Sequence, residues 1–202
     1  MRVGCGKLLA VRSLMTTLNS RSCVRCLWSG TVLLGALLFS PLRTAATQPS
    51  GSLGREYRLQ LYHLHTKERL DVVYRRGDAY LPGAADRLDH FLRDHRTGDV
   101  YLLNPALFDL LHDLTVTLGR DGAEIDIVCG YRSQGSNEFL RRTTFGVAQH
   151  SRHMSGEAID IRIPGVPTSR LRDAALALHR GGVGYYPQSQ FVHVDVGPVR
   201  RW

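Results

Sequence analysis

The sequence predicts an α+β domain built around a small, mostly antiparallel sheet with flanking helices. Three observations predict this class: two adjacent strand-like runs open the domain, two amphipathic helices follow, and short apolar strands then alternate with helices. The chain has 202 residues, of which 43% are hydrophobic and 22% are charged, so it can bury one sizeable core. We find no internal repeat and expect a single folded domain.

The first elements form a strand pair followed by two helices. Residues 57–65 and 69–74 alternate as two strands joined by a short turn, which predicts a hairpin. Apolar residues at helical spacing predict an amphipathic helix over residues 84–95. A second helix is expected to begin after Asn104 and Pro105 and to end at Gly119.

The second half of the chain carries shorter strands. The apolar run 125–129 predicts a buried strand that ends with Cys129 in the core, followed by a turn and a helix that starts near Ser136. Alternating residues predict strands over 157–163 and 190–196. A helix that begins near Thr168 separates these two strands and ends before residue 181.

The N-terminal segment has the pattern of a targeting signal. Six basic residues and no acidic residue precede Thr47, and an apolar run over residues 27–39 leads to small residues before Thr47. This pattern is typical of a cleaved signal peptide, or of an N-terminal anchor if cleavage does not occur. We therefore divide the chain into residues 1–46 as signal peptide or anchor, 47–55 as linker, and 56–202 as the domain.

The distribution of charge argues against a nucleic-acid partner. The formal net charge is +8, but the six basic residues of the N-terminal segment supply most of it. Without them, 20 basic residues stand against 18 acidic ones, a net charge of +2. The domain carries no basic patch with interleaved aromatic residues, so we expect no nucleic acid. Contact with a membrane is expected only through the N-terminal segment, if it is not cleaved.

Two imidazoles and a carboxylate can meet at the strands 157–163 and 190–196. His153 lies in a loop in which Gly156 permits a sharp turn back toward the strand that carries Asp160. His193 and Asp195, two residues apart, point to the same face of the second strand. If the strands are neighbours, His153, Asp160 and His193 converge on one ion. Three ligands leave the fourth position of a tetrahedral zinc ion open, as catalytic sites do.

Arg132 lies at the turn between a strand and a helix, and its residue type allows two roles. Its guanidinium group can form a structural ion pair, or its planar set of donors can bind a carboxylate or carbonyl group of a substrate. The position in the sequence does not separate these alternatives.

The pattern Ser151-x-His153-x-x-Gly156-x-Ala158-x-Asp160, followed by His193, resembles the zinc-ligand pattern of the M15 peptidases. These enzymes cleave peptidoglycan. Within them, the chain is similar to the DUF882 branch, which includes murein endopeptidase K. The resemblance extends over about residues 56–202 and includes several further stretches: residues 61–66, 91–96, 130–133, 182–187 and 191–197.

This resemblance implies a zinc-dependent peptidoglycan peptidase with the hedgehog or D,D-peptidase type of fold. It implies one zinc ion held by His153, Asp160 and His193, and hydrolysis of amide bonds in cell-wall cross-links, as an endopeptidase or a carboxypeptidase. The implied partner is peptidoglycan, and the implied location is the periplasm or cell envelope after export.

The resemblance also implies roles for further residues. Arg132 is expected to bind a substrate carboxylate or to stabilise the oxyanion, and Ser151 to hydrogen-bond the substrate. Many M15 relatives carry a catalytic Glu or Asp three residues before the last histidine, where this chain has Gln190. Gln190 cannot accept a proton, so Asp195 becomes the candidate base, unless it only orients His193. The missing carboxylate leaves an alternative function, a zinc-containing peptidoglycan-binding module without catalysis.

Overall fold

The computed structural model describes residues 54–202. The expected signal peptide or anchor, residues 1–46, and residues 47–53 of the expected linker lie outside the described residues. Within the described part, no helix is both long and apolar enough to cross a bilayer.

The described residues form eight strands and four α-helices. In chain order they are β1 Glu56–His63, β2 Arg69–Arg76, β3 Ala79–Tyr80, α1 Pro82–Phe91, α2 Ala106–Thr117, β4 Glu124–Cys129, α3 Gln134–Thr143, β5 Ala158–Arg162, α4 Thr168–Leu178, β6 Gly182–Tyr186, β7 Phe191–Asp195 and β8 Arg200–Arg201. A short 3-10 helix, Arg152–Ser155, precedes β5. The mixed composition of helices and strands agrees with the α+β prediction.

All eight strands form one sheet in the order β3-β2-β1-β4-β5-β7-β6-β8. Only the pairs β1–β4 and β6–β8 are parallel, so the sheet is mostly antiparallel as predicted. The prediction of a small sheet is wrong. The N-terminal hairpin joins the later strands through the β1–β4 pair, which a local sequence pattern cannot reveal. The two-residue edge strands β3 and β8 are too short to show any alternation.

The hydrophobic core lies between the sheet and the helices α1, α2 and α4. Alternate residues of the strands, such as Ile127, Ile161 and Val192, are fully buried there beside helix residues such as Leu88 and Leu111. Each such side chain contributes about 1.5–3 kcal/mol through burial. The strand residues between them face away from this core, and the sheet holds their side chains at fixed positions.

Helix α1 ends at Phe91, four residues before the predicted end at His95. The carbonyl oxygen of Leu92 accepts a hydrogen bond from the backbone N–H of Tyr131 at 2.7 Å, so this group serves a tertiary contact. The chain then turns, and the buried carboxylate of Asp94 accepts hydrogen bonds from the backbone N–H and hydroxyl of Ser133 at 2.8 and 2.7 Å. This contact fixes the turn that carries Arg132.

Candidate active site and metal centre

A row of side chains crosses three neighbouring strands on the face of the sheet opposite the core. The register places Cys129 of β4 opposite Asp160 of β5, and Asp160 opposite His193 of β7. Opposed residues of antiparallel strands point to the same face, with Cβ atoms about 4.5–5.5 Å apart. The sheet itself therefore brings these three side chains together.

Cys129 joins this row because β4 contains a bulge. Ile127 lies opposite the core residue Ile161, and simple alternation would then pair Val128 with Asp160. The register shifts between Ile127 and Cys129, so that Cys129 takes this place. Cys129 is buried, as predicted, but it faces the polar site rather than the core, because the extra residue reverses its direction.

His153 reaches the row from the 3-10 helix before β5. This helix ends at Gly156, whose φ of 67° lies in the left-handed region that favours glycine. A Cβ atom at this position would lie 2.6 Å from the carbonyl oxygen of Leu102, so a larger residue would force the loop to move. The glycine thus allows the turn that places His153 over Asp160.

Three possible ligand atoms form a tight triangle. Nε2 of His153 lies 3.2 Å from Oδ1 of Asp160 and 3.1 Å from Nδ1 of His193, and the last two atoms are 2.8 Å apart. A zinc ion with bonds of about 2.0–2.1 Å in tetrahedral geometry separates its ligands by about 3.3 Å. The three donors therefore fit one small divalent ion.

Hydrogen bonds at the far sides of both rings support this fit. Nδ1 of His153 lies 2.8 Å from the carbonyl oxygen of Gly130, which only accepts hydrogen bonds. Nε2 of His193 lies 3.3 Å from Oδ2 of Asp195. In the neutral form of each ring, the proton lies on this outer nitrogen, which leaves an unshared electron pair for a metal ion on the nitrogen that faces Asp160.

The electrostatics of the triangle favour a cation. Burial disfavours the charged form of His153, but the adjacent Asp160 carboxylate outweighs it and raises the pKa of His153 to about 10. Burial also disfavours the Asp160 carboxylate, yet His153 and His193 hold the pKa of that carboxyl well below its usual range. Asp160 is therefore charged at neutral pH, and a metal ion can supply the positive charge that it attracts.

Asp195 lies behind His193 and does not face the triangle. Its fully buried carboxylate accepts hydrogen bonds from the backbone N–H groups of Gly182 and Gly197 and from Nη2 of Arg200, at 3.0, 2.8 and 2.6 Å. Burial favours the neutral acid, but His193 and these donors hold the pKa of Asp195 well below its usual range. Asp195 thus contacts the outer nitrogen of His193, where a carboxylate can fix the orientation of the ring.

Arg132 and Ser151 both line the pocket above the triangle. Nη2 of Arg132 lies 3.7 Å from Oδ2 of Asp160 and 3.5 Å from Sγ of Cys129. Its Nε is buried without a hydrogen-bond partner. The guanidinium group thus lies beside the possible metal position at the pocket wall, which fits a role in binding substrate oxygen atoms.

The pocket has a volume of about 670 Å³ and opens above His153, Asp160 and His193. One wall contains the imidazole rings of His65 and His95, which stack in parallel with centroids 4.0 Å apart. Burial is the main cause that lowers the pKa of both rings, that of His95 to about 4, so they are neutral at neutral pH. Both histidines lie in stretches that resemble the family, residues 61–66 and 91–96, but their stacking joins segments 30 residues apart and has no local sequence pattern.

The opposite wall is aromatic and includes Trp202, whose ring centroid lies 5.2 Å from that of His193. Its indole N–H donates to the hydroxyl of Tyr186 at 2.8 Å. The indole lies against Gly184, where a Cβ atom would be 2.7 Å from the ring.

Gln190 does not line this pocket but a second, smaller one. Among the described residues, Asp160 is therefore the only acid that lines the main pocket.

Three possible metal ligands at the base of an open pocket are typical of metal-dependent hydrolases. Comparison with known proteins specifies the class further. A family model, Peptidase_M15_2, described as "Peptidoglycan L,D-endopeptidase MepK", matches residues 52–202. The chain therefore belongs to the Peptidase_M15_2 family and is a peptidase.

Individual relatives support this assignment. A protein of Haemophilus influenzae named probable peptidoglycan L,D-endopeptidase MepK is 43% identical over 144 residues, which cover 71% of this chain and 77% of the relative. The peptidoglycan L,D-endopeptidase MepK of Escherichia coli strain K12 is 39% identical over 173 residues, with coverage of 86% and 92%. No solved structure gives a significant match.

Proposed function

We propose that the chain is a zinc-dependent murein endopeptidase that hydrolyses L,D amide bonds in the peptide cross-links of peptidoglycan. The observation that carries this proposal is the triangle of His153, Asp160 and His193 at the base of an open pocket. The names of the relatives supply the substrate and the type of bond. The proposed cofactor is one zinc ion, held by these three residues.

Zinc, when bound, supplies a Lewis acid and a water molecule whose pKa is lowered toward neutrality. The residues of the chain position the other groups. Arg132 directs its guanidinium toward the carbonyl or carboxylate oxygens of the substrate, where charge develops during amide hydrolysis. Ser151 offers a hydroxyl group to the substrate at the pocket wall. Asp195 orients His193 through its outer nitrogen and does not act as the base, because its carboxylate faces away from the pocket.

The groups that line the pocket and can accept a proton are limited. They are the carboxylate of Asp160, the sulfur of Cys129 and the imidazoles of His65, His95 and His150, in addition to the two histidines of the triangle. One of these groups would accept the proton of the attacking water and donate it to the leaving amine.

Two finer expectations complete the proposal. The fold belongs to the hedgehog and D,D-peptidase type, which the M15 resemblance implies. The protein acts in the periplasm or cell envelope, because its substrate is located there and its N-terminal segment has the pattern of an export signal.

One observation favours a second candidate, a non-catalytic zinc-containing module that binds peptidoglycan. A hydrolase usually has a carboxylate free to accept the water proton, and the described pocket has no acid besides Asp160, which faces the triangle. The intact triangle and the open pocket favour the enzyme.

Digestion of purified peptidoglycan separates the two candidates. The zinc-loaded protein is incubated with sacculi, with and without a chelator, and the released muropeptides are identified by mass spectrometry. We expect a chelator-sensitive loss of L,D cross-linked dimers. Binding to sacculi with an unchanged muropeptide profile, while zinc remains bound, would instead support the binding module.

A further inference from the structure

The thiol of Cys129 lies beside the metal triangle, although no ligand set suggested by the sequence includes it. Single ligand atoms of Cys129, His153 and Asp160 all lie within 4.8 Å of one another, and all three residues are buried. Two overlapping donor sets therefore share His153 and Asp160. His193 completes one set, and Cys129 completes the other.

The direction of the Cys129 side chain results from the bulge in β4. In a regular register, Val128 would lie opposite Asp160, and Cys129 would lie opposite Ile159 and point into the core, where a thiol behaves as a small apolar group. The bulge places it opposite Asp160 instead. Its hydrogen-bonding contacts are long: the thiol donates to the carbonyl oxygen of Gly130 at 3.6 Å and accepts from Nη2 of Arg132 at 3.5 Å. A second electron pair of the sulfur therefore remains for a metal ion.

The two sets differ in chemical softness. Two imidazoles and a carboxylate suit zinc and leave one coordination position open for water. A thiolate in place of one imidazole favours soft, thiophilic ions. A small ion can reach the sulfur because Cys129 lines the main pocket.

We propose that Cys129, His153 and Asp160 form a second, soft metal-binding set, which captures a thiophilic divalent cation at the wall of the catalytic pocket. The S–H bond of Cys129 breaks as the sulfur–metal bond forms, the proton passes to solvent, and no electron is transferred. This site rests on the proposed function only in that it shares two ligands with the zinc site. An ion held there occupies the zinc position or its immediate neighbourhood and blocks hydrolysis.

Cadmium titration of the metal-free protein tests this site through the absorption of the cadmium–thiolate bond in the near ultraviolet. The full chain is used with Cys5, Cys23 and Cys26 each replaced by serine, so that Cys129 is its one remaining thiol. We expect one equivalent of Cd²⁺ to produce the absorption band. Cys129→Ser should remove the band and weaken Cd²⁺ binding at least about 10-fold. Loss of a residue that only hydrogen-bonds a metal ligand already weakens metal binding by about this factor, and loss of a ligand should weaken it at least as much.

Two further variants distinguish the two donor sets. His193→Ala should keep the thiolate band, because His193 belongs only to the zinc set. His90→Ala, which removes an exposed imidazole of α1, serves as the matched control. Circular dichroism and thermal unfolding verify that each variant is folded, and Cys129→Ala replaces the serine variant if that one unfolds.

A folded parent chain without the band, or Cys129→Ser with unchanged Cd²⁺ affinity, overturns the proposal. Loss of the band in folded His193→Ala overturns the assignment of a separate soft set. A chain that shows the band but does not cleave peptidoglycan would refute the proposed function and leave this inference intact, since the titration does not use hydrolysis.

Discussion

Replacement of Asp195 by asparagine separates an orienting role from a catalytic one. The carboxylate is fully buried and accepts from two backbone N–H groups, from Arg200 and from Nε2 of His193. The amide of asparagine has one acceptor oxygen and one NH₂ group, which only donates. In either orientation of the amide, the NH₂ group therefore faces a donor of a neighbouring residue. An unsatisfied buried donor costs about 1–3 kcal/mol, and we expect the free energy of unfolding to fall by about this amount.

The effect on zinc follows from the position of Asp195 behind His193. Loss of an outer hydrogen-bond partner typically weakens metal binding about 10- to 100-fold, which corresponds to about 1.4–2.7 kcal/mol. We expect Asp195→Asn to need 10- to 100-fold more zinc for half-maximal hydrolysis and to recover most of the wild-type rate at saturating zinc. The assay is zinc titration of the metal-free protein with peptidoglycan hydrolysis as the readout.

The control is Asp173→Asn, which makes the same chemical change at an exposed residue of α4 and should leave the zinc titration unchanged. A different result would refute the orienting role. If Asp195 were the base, hydrolysis would remain about 10²- to 10⁴-fold lower at saturating zinc.

Three further predictions concern other parts of the molecule. Arg132→Lys should keep its zinc, measured by elemental analysis. Its kcat/KM on an L,D cross-linked muropeptide should fall about 10²- to 10³-fold, as expected for the loss of an oxyanion donor. An unchanged kcat/KM would exclude that role. Gly184→Ala places a Cβ atom 2.7 Å from the Trp202 indole and should cost about 1–3 kcal/mol in urea unfolding, whereas unchanged stability would show that the indole moves freely. Burial opposes ionisation of Asp94, but hydrogen bonds from Ser133 and from the backbone N–H of Arg96 lower its pKa from 3.8 to about 2. This carboxylate therefore stabilises the fold above about pH 4, and its contribution is lost as the pH falls toward 2. Asp94→Asn should make the free energy of unfolding depend less steeply on pH in this range. An unchanged pH dependence would contradict the role of Asp94.

The meeting of His153, Asp160 and His193 could be predicted because local patterns determine it. Alternation assigns the faces of β5 and β7, and Gly156 permits the turn that His153 needs. Their proximity is now a feature of the structure, while their role as zinc ligands stays a prediction. The sequence left two roles open for Asp195, and only the packing of Arg200 and two backbone N–H groups shows which way its carboxylate faces.

Other features depend on contacts between distant segments. No residue type marks the bulge that turns Cys129 toward the site, since the run 125–129 reads as regular alternation. The parallel pairing of β1 with β4 joins segments about 60 residues apart and makes the sheet larger than predicted. Strand β6 was missed because Gly182 and Gly184 weaken the strand pattern, although Gly184 provides the space that the Trp202 indole occupies.

Zinc content and hydrolysis, measured together on the same preparations, test the central claim most directly. The set comprises the wild-type chain, His153→Ala, Asp160→Ala, His193→Ala and the surface control His90→Ala. We predict one zinc ion per chain and chelator-sensitive loss of L,D cross-linked dimers for the wild type and the control. We predict the loss of both properties in His153→Ala and Asp160→Ala, and the loss of hydrolysis in His193→Ala. A folded triangle variant that retains stoichiometric zinc and cleaves the cross-link would contradict the account.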